Sequence, residues 1–143
     1  MSNKAELPPI VDDELLARFV LFSNWIRQDQ TVRPDAFIPY PYPDLSVTRH
    51  RELSEFDLWQ IGQPVADKSS RNLYGRADIH ALTVKAQSLR IEPTPTPKNH
   101  ANIIDWPADK PGQKIIASEL NPKYAWAYYG QGHTKEILHE PTA

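Results

Sequence analysis

DDELLARFVLFSNWIRQ, residues 12–28, supports two secondary structures, and the choice between them sets the fold. Asp12 and Asp13 stand ahead of an apolar run, where short acidic side chains cap a helix and suit its dipole. Leu15, Leu16, Phe19, Val20 and Phe22 then fall near one helical stripe. Against this, RFVLFSNWI, residues 18–26, is crowded with the aromatic and β-branched side chains that favour a strand. The caps tip the reading toward a helix.

Working outward, TVRPDAFIPYPYPD, residues 31–44, is a connection, because its prolines at 34, 39, 41 and 43 remove backbone donors and forbid regular pairing. The PYPYP core, residues 39–43, favours polyproline II. Tyr40 and Tyr42 either pack this strap on its own domain or dock it in an aromatic groove of a partner. LSVTRHR, residues 45–51, alternates as a half-buried strand whose apolar face turns basic at Arg49. Ser54, with Asp57 three residues on, opens a helix through SEFDLWQIGQPVAD, residues 54–67. Phe56, Trp59 and Val65, together with Leu58, Ile61 and Gly62, supply its apolar spacing, and Pro64 should limit or kink its far end.

Farther on, Ala77, Ile79 and Ala81 alternate as in a strand, yet Asp78 could cap a short helix through Ile79, Leu82, Ala86 and Leu89. LRIE, residues 89–92, reads as a strand, PTPTP at 93–97 as a stiff spacer, and HANIIDWP as the strand returning antiparallel to LRIE. ADKPGQKIIASELN, residues 108–121, carries Asp109 near a cap and Pro111 in a first turn, which predicts a helix. KYAWAYYG either prolongs that helix or forms an edge strand, and the tail has no clear period. The sum is a small single α+β domain, 12–143, with a short, mostly antiparallel sheet and about three helices. Residues 1–11 form a flexible lead-in.

Composition narrows the function. A net charge of −2 with charges spread along the chain disfavours a polyanion partner. With no cysteine there is no disulfide, thiolate metal site or cysteine nucleophile. The N-terminus lacks a signal peptide's apolar core and no apolar run reaches spanning length, so a cytoplasmic protein off the membrane is expected. No serine elbow, phosphate loop, dinucleotide fingerprint or zinc helix occurs. No cofactor and no metal site are expected.

Two functional groupings remain. Tyr40, Tyr42, Tyr124, Trp126 and Tyr128 offer large contact area at low entropic cost, which suits a non-catalytic interaction module: an adaptor, regulator or small subunit. Its partner would be another protein, a larger subunit or a second copy. The alternative is a small hydrolase or nuclease, with His100, Asp78 and His80 as catalytic candidates and His50 close by. Arg49, Arg51 and Arg76 would hold an anionic substrate. In an extended segment His100 and Asp105 lie on opposite faces, so His100 is expected to order the turn after the proline spacer. Enzymatic function would require the imidazoles and carboxylates to meet in one hollow.

Overall fold

The computed structural model describes residues 7–29 and 31–120 in full and residues 124–128 and 134–138 as backbone. Seven strands lie among them: β1 (Leu15–Val20), β2 (Leu45–Arg49), β3 (Gly75–His80), β4 (Arg90–Pro93), β5 (His100–Ile104), β6 (Tyr124–Tyr128) and β7 (Thr134–Leu138). They form one antiparallel sheet in the order β4-β5-β2-β1-β3-β6-β7. Three α-helices accompany it: α1 (Glu55–Lys68), α2 (Ala81–Lys85) and α3 (Lys110–Glu119). The fold is a small α+β. No helix among the described residues is long and apolar enough to cross a membrane.

Where the sequence predicts a helix within residues 12–28, the chain forms the strand β1. Leu16, Ala17, Phe19 and Val20 are all buried, so apolar groups leave β1 on both sides. A helix would bury one stripe; a central strand buries two faces, and β1 sits between β2 and β3. Register assigns the faces. Leu16 stands opposite Ile79, Leu45 opposite Ile103 and Val47 opposite Ala101. These residues join Phe37, Val84, Ala117 and Leu120 in the larger core, beneath the 3-10 turn Pro34–Phe37, α2 and α3. Phe19 leaves the other face and packs with Trp59, Ala66 and Leu73 under α1.

Helix α1 starts as its sequence predicts. The Ser54 hydroxyl accepts from Asp57 N–H at 3.1 Å, and the Asp57 carboxylate accepts from Ser54 N–H at 3.1 Å, a complete capping box. Two expectations there need correction. Phe56 is exposed, the buried set being Leu58, Trp59, Gly62 and Ala66. Pro64 does not end the helix, which runs on to Lys68 because Val65 and Ala66 still pack toward Phe19 and Trp59. Of the two alternatives for residues 77–89, the strand holds for Ala77 and Ile79. Asp78 lies within β3 and caps nothing, and the short helix α2 begins only at Ala81, after His80.

The PYPYP segment is not a polyproline II strap. Tyr42 N–H donates to the Pro39 carbonyl at 2.9 Å, closing a turn in which the Tyr40–Pro41 peptide is cis. Buried Gln113 of α3 fixes this turn, accepting from Tyr40 N–H at 2.9 Å and donating to the Pro107 carbonyl at 2.8 Å. β4 and β5 pair as the sequence suggested, Ile91 facing Ile103. Residues 124–128 are neither helix nor edge strand. They are an interior strand, with β3 on one side and β7 on the other.

Candidate functional site

The face of the sheet under α1 carries a run of polar side chains whose placement follows from register. Ala17 pairs with both Thr48 and Asp78, so those two flank a small residue on one face. Phe19 pairs with Arg76 on the same face, and His50 lies just beyond the end of β2 on that side. The alanine leaves open the space that longer side chains enter.

Three of those chains, His50, Asp78 and Arg76, form a network with Glu55 and Trp59 of α1. His50 Nε2 lies 2.9 Å from Asp78 Oδ1. Arg76 Nε donates to the two Asp78 oxygens at 3.1 and 3.2 Å. The other end of the guanidinium grips Glu55 in bidentate fashion, Nη1 to Oε2 at 2.9 Å and Nη2 to Oε1 at 3.0 Å. Trp59 Nε1 donates to the same Glu55 Oε2 at 2.9 Å, and the guanidinium carbon stands 4.8 Å from the Trp59 ring centroid. Asp78 and Arg76 are buried, His50 is one-fifth exposed and Glu55 is 44% exposed, so the chain of bonds runs from the sheet interior to the surface. Burial opposes the Arg76 charge, but the Glu55 hydrogen bonds and the Asp78 and Glu55 charges outweigh it and raise its pKa.

Chemically, the pair His50–Asp78 is an imidazole oriented by a carboxylate. An ionised carboxylate can only accept, so Nε2 carries the proton in this bond and Nδ1 is the nitrogen left for other partners. Asp78 shares its two oxygens between His50 and Arg76. Among the described residues no group of three histidine or acidic side chains could hold a metal.

The other sequence candidates lie elsewhere. His100 is bonded through Nδ1 to Thr94 Oγ1 at 2.6 Å, within the hairpin between β4 and β5. Its burial lowers its pKa below the ordinary histidine value. His80, the last residue of β3, precedes α2 without a side-chain cap bond. Arg49 is buried and spent on structure: it clasps Glu14 and donates to the Pro8 and Pro9 carbonyls at 2.7 and 3.1 Å, tying down residues 8 and 9. Arg51 is exposed and pairs with Glu52 at 2.9 Å. Tyr40 and Tyr42 are 52% and 71% exposed. The side chains of Tyr124, Trp126 and Tyr128 lie outside the described residues.

Thus Asp78, His50 and Arg76 converge, while His100, Arg49 and Arg51 each stand in separate bonds and His80 lies apart at the end of β3. Glu55 is the member that sequence reasoning missed. An acid in a first helical turn has a sufficient explanation in the helix dipole, and nothing local says that it turns toward an arginine 21 residues away. No protein-family model, curated protein or solved structure matches this chain.

Proposed function

We propose that the protein is a non-catalytic interaction module, an adaptor, regulator or small subunit, that docks another protein through the Tyr40–Tyr42 turn. One observation carries the reading: two large aromatic rings are presented to solvent on a turn whose backbone is held by a buried glutamine. Tyrosines on a pre-ordered loop lose little entropy on binding and bring large amphipathic area. Lys110 stands 5.9 Å from the Tyr40 ring centroid, adding a cation at the rim of the same surface. The lack of cysteine suits work in the cytoplasm.

The hydrolase reading has weaker support. Its intended centre, His100, is bonded to Thr94, and the groups meant to converge on it are engaged with other partners.

The test places a photo-crosslinking amino acid at position 42, or at exposed Gln60 of α1 as a control, in cells of the source organism. One discrete adduct should form from position 42 and not from position 60. It should fade when Tyr40→Ala is added to the position 42 reporter. Indistinguishable adduct patterns from the two positions would sink the proposal.

A further inference from the structure

Beyond the aromatic turn, and independently of it, a hollow of about 310 Å³ opens where β2 and the β4–β5 hairpin end. Arg51, Lys98, Thr94 and His100 contribute its polar wall, and Leu7 and Pro8 its apolar wall. That volume is at the small end of pockets for organic ligands, which run from roughly 300 to 1,000 Å³. We propose that this hollow binds a small phosphate monoester, with the phosphoryl group between Arg51 and Lys98 and the carbon body against Leu7 and Pro8.

Charge supports the assignment. Arg49 also lines the hollow, but its guanidinium is committed to Glu14 and two carbonyls. Lys98 is exposed and makes no ion pair or hydrogen bond with any described residue. Arg51 has only Glu52, a carboxylate 79% exposed and therefore weakly held by its partner. Glu52 is the one acid of the wall. Two cations are thus available to an incoming dianion, and charge-assisted bonds to phosphate oxygens are the strong kind. Thr94 Oγ1 is already shared among His100 Nδ1 and the Thr96 and His100 carbonyls, so its role is to hold the imbedded imidazole in place.

His100 gives the site its reporter. It lines this hollow and also a second, of about 40 Å³, between β2 and α1. Facing it are Arg51 and Glu52 from the turn after β2 and Lys98 from its own hairpin, while the Arg18 guanidinium of β1 is spent on the Ala36 and Ser46 carbonyls across the sheet. Burial lowers its pKa, and a bound dianion would favour the protonated form and shift it back upward.

The experiment follows the His100 ring proton resonances by NMR, assigned with His100→Gln, while glycerol 2-phosphate, inorganic phosphate or chloride is added at constant ionic strength. Glycerol 2-phosphate should give a saturable shift in the millimolar range or below and move the His100 titration midpoint upward. Inorganic phosphate should bind more weakly, and chloride should give no saturable shift. Arg51→Ala with Lys98→Ala, both at exposed positions, should weaken binding at least about tenfold with the rest of the spectrum unchanged. Glu52→Gln should tighten it by about two- to fivefold. Any of three results overturns the proposal: no saturable shift, the same shift with chloride, or unchanged affinity in the double variant. Tighter binding of a single-stranded oligonucleotide than of the monoester would overturn it as well.

Discussion

A methyl group placed on Gly62 would lie 2.5 Å from Cε1 and 2.8 Å from Cδ1 of Phe19, closer than carbon atoms approach. The ring cannot swing aside cheaply, because Phe19 is 5% exposed and packs against Trp59 with ring centroids 6.4 Å apart. Two effects oppose each other in Gly62→Ala. Helix propensity gains about 1 kcal/mol. Overpacking a filled core costs roughly 1–3 kcal/mol, and the shortness of this contact argues for the upper half of that range. The variant should therefore lose about 1–2 kcal/mol, read as a lower urea midpoint at unchanged slope. Stability at or above wild type would mean that α1 rides farther from the sheet than described. The helical spacing of Leu58, Trp59 and Gly62 was legible in the sequence, but the partner was not, because residues 12–28 were read as a helix that would have placed Phe19 elsewhere.

Elements with local signals were read correctly, and those decided by tertiary context were not. The Ser54–Asp57 box, the Asp109 cap with Pro111, and the β4–β5 hairpin all carry their cause within a few residues. Asp109 accepts from Gly112 N–H at 2.8 Å, as its position predicts. β1 differs. Leu15, Leu16, Phe19 and Val20 satisfy a helical stripe, and only the presence of cover on both sides of the sheet makes a strand of them. The network was illegible for a related reason: His50 and Asp78 are 28 residues apart, and strand order alone brings them together. Pro64 shows tertiary packing overruling a breaker. Its missing donor and its ring weaken α1 at that turn, yet it sits on the exposed side while Val65 and Ala66 pack inward. Pro64→Ala should then stabilise the protein. Removing an interior helical proline gains up to about 3 kcal/mol, offset by roughly 1 kcal/mol because the unfolded chain becomes freer. A gain of about 1–2 kcal/mol in chemical denaturation is expected, and a loss would show that the kink itself seats α1.

At the scale of the whole molecule, the ion network adds a polar tie to elements that also meet through the sheet and the core. His50 belongs to the end of β2, Arg76 and Asp78 to β3, and Glu55 to the first turn of α1, so the Asp78–Arg76 pair in the middle links three elements. Asp78→Asn leaves the volume almost unchanged and removes the charge. Arg76 would keep its Glu55 clasp, but its Nε and the His50 Nε2–H would then face an amide that offers a single acceptor oxygen. Breaking one partner from a buried ionic cluster costs roughly 3–5 kcal/mol, and the surviving Glu55 contact should hold the loss to about 2–4 kcal/mol. Glu55→Gln, at the 44% exposed end of the chain, should cost about 1 kcal/mol, since water can replace part of what is lost there. Paired urea titrations give both values. The ordering matters more than either number: equal losses would mean that the cluster acts only as a clasp on α1, with the buried His50–Asp78 contact adding nothing. The same variant separates the functional readings. A docking module working through Tyr40 and Tyr42 should retain its position 42 crosslink in Asp78→Asn below the melting temperature. Loss of that adduct from a folded variant would move the functional centre from the aromatic turn to the polar face of the sheet.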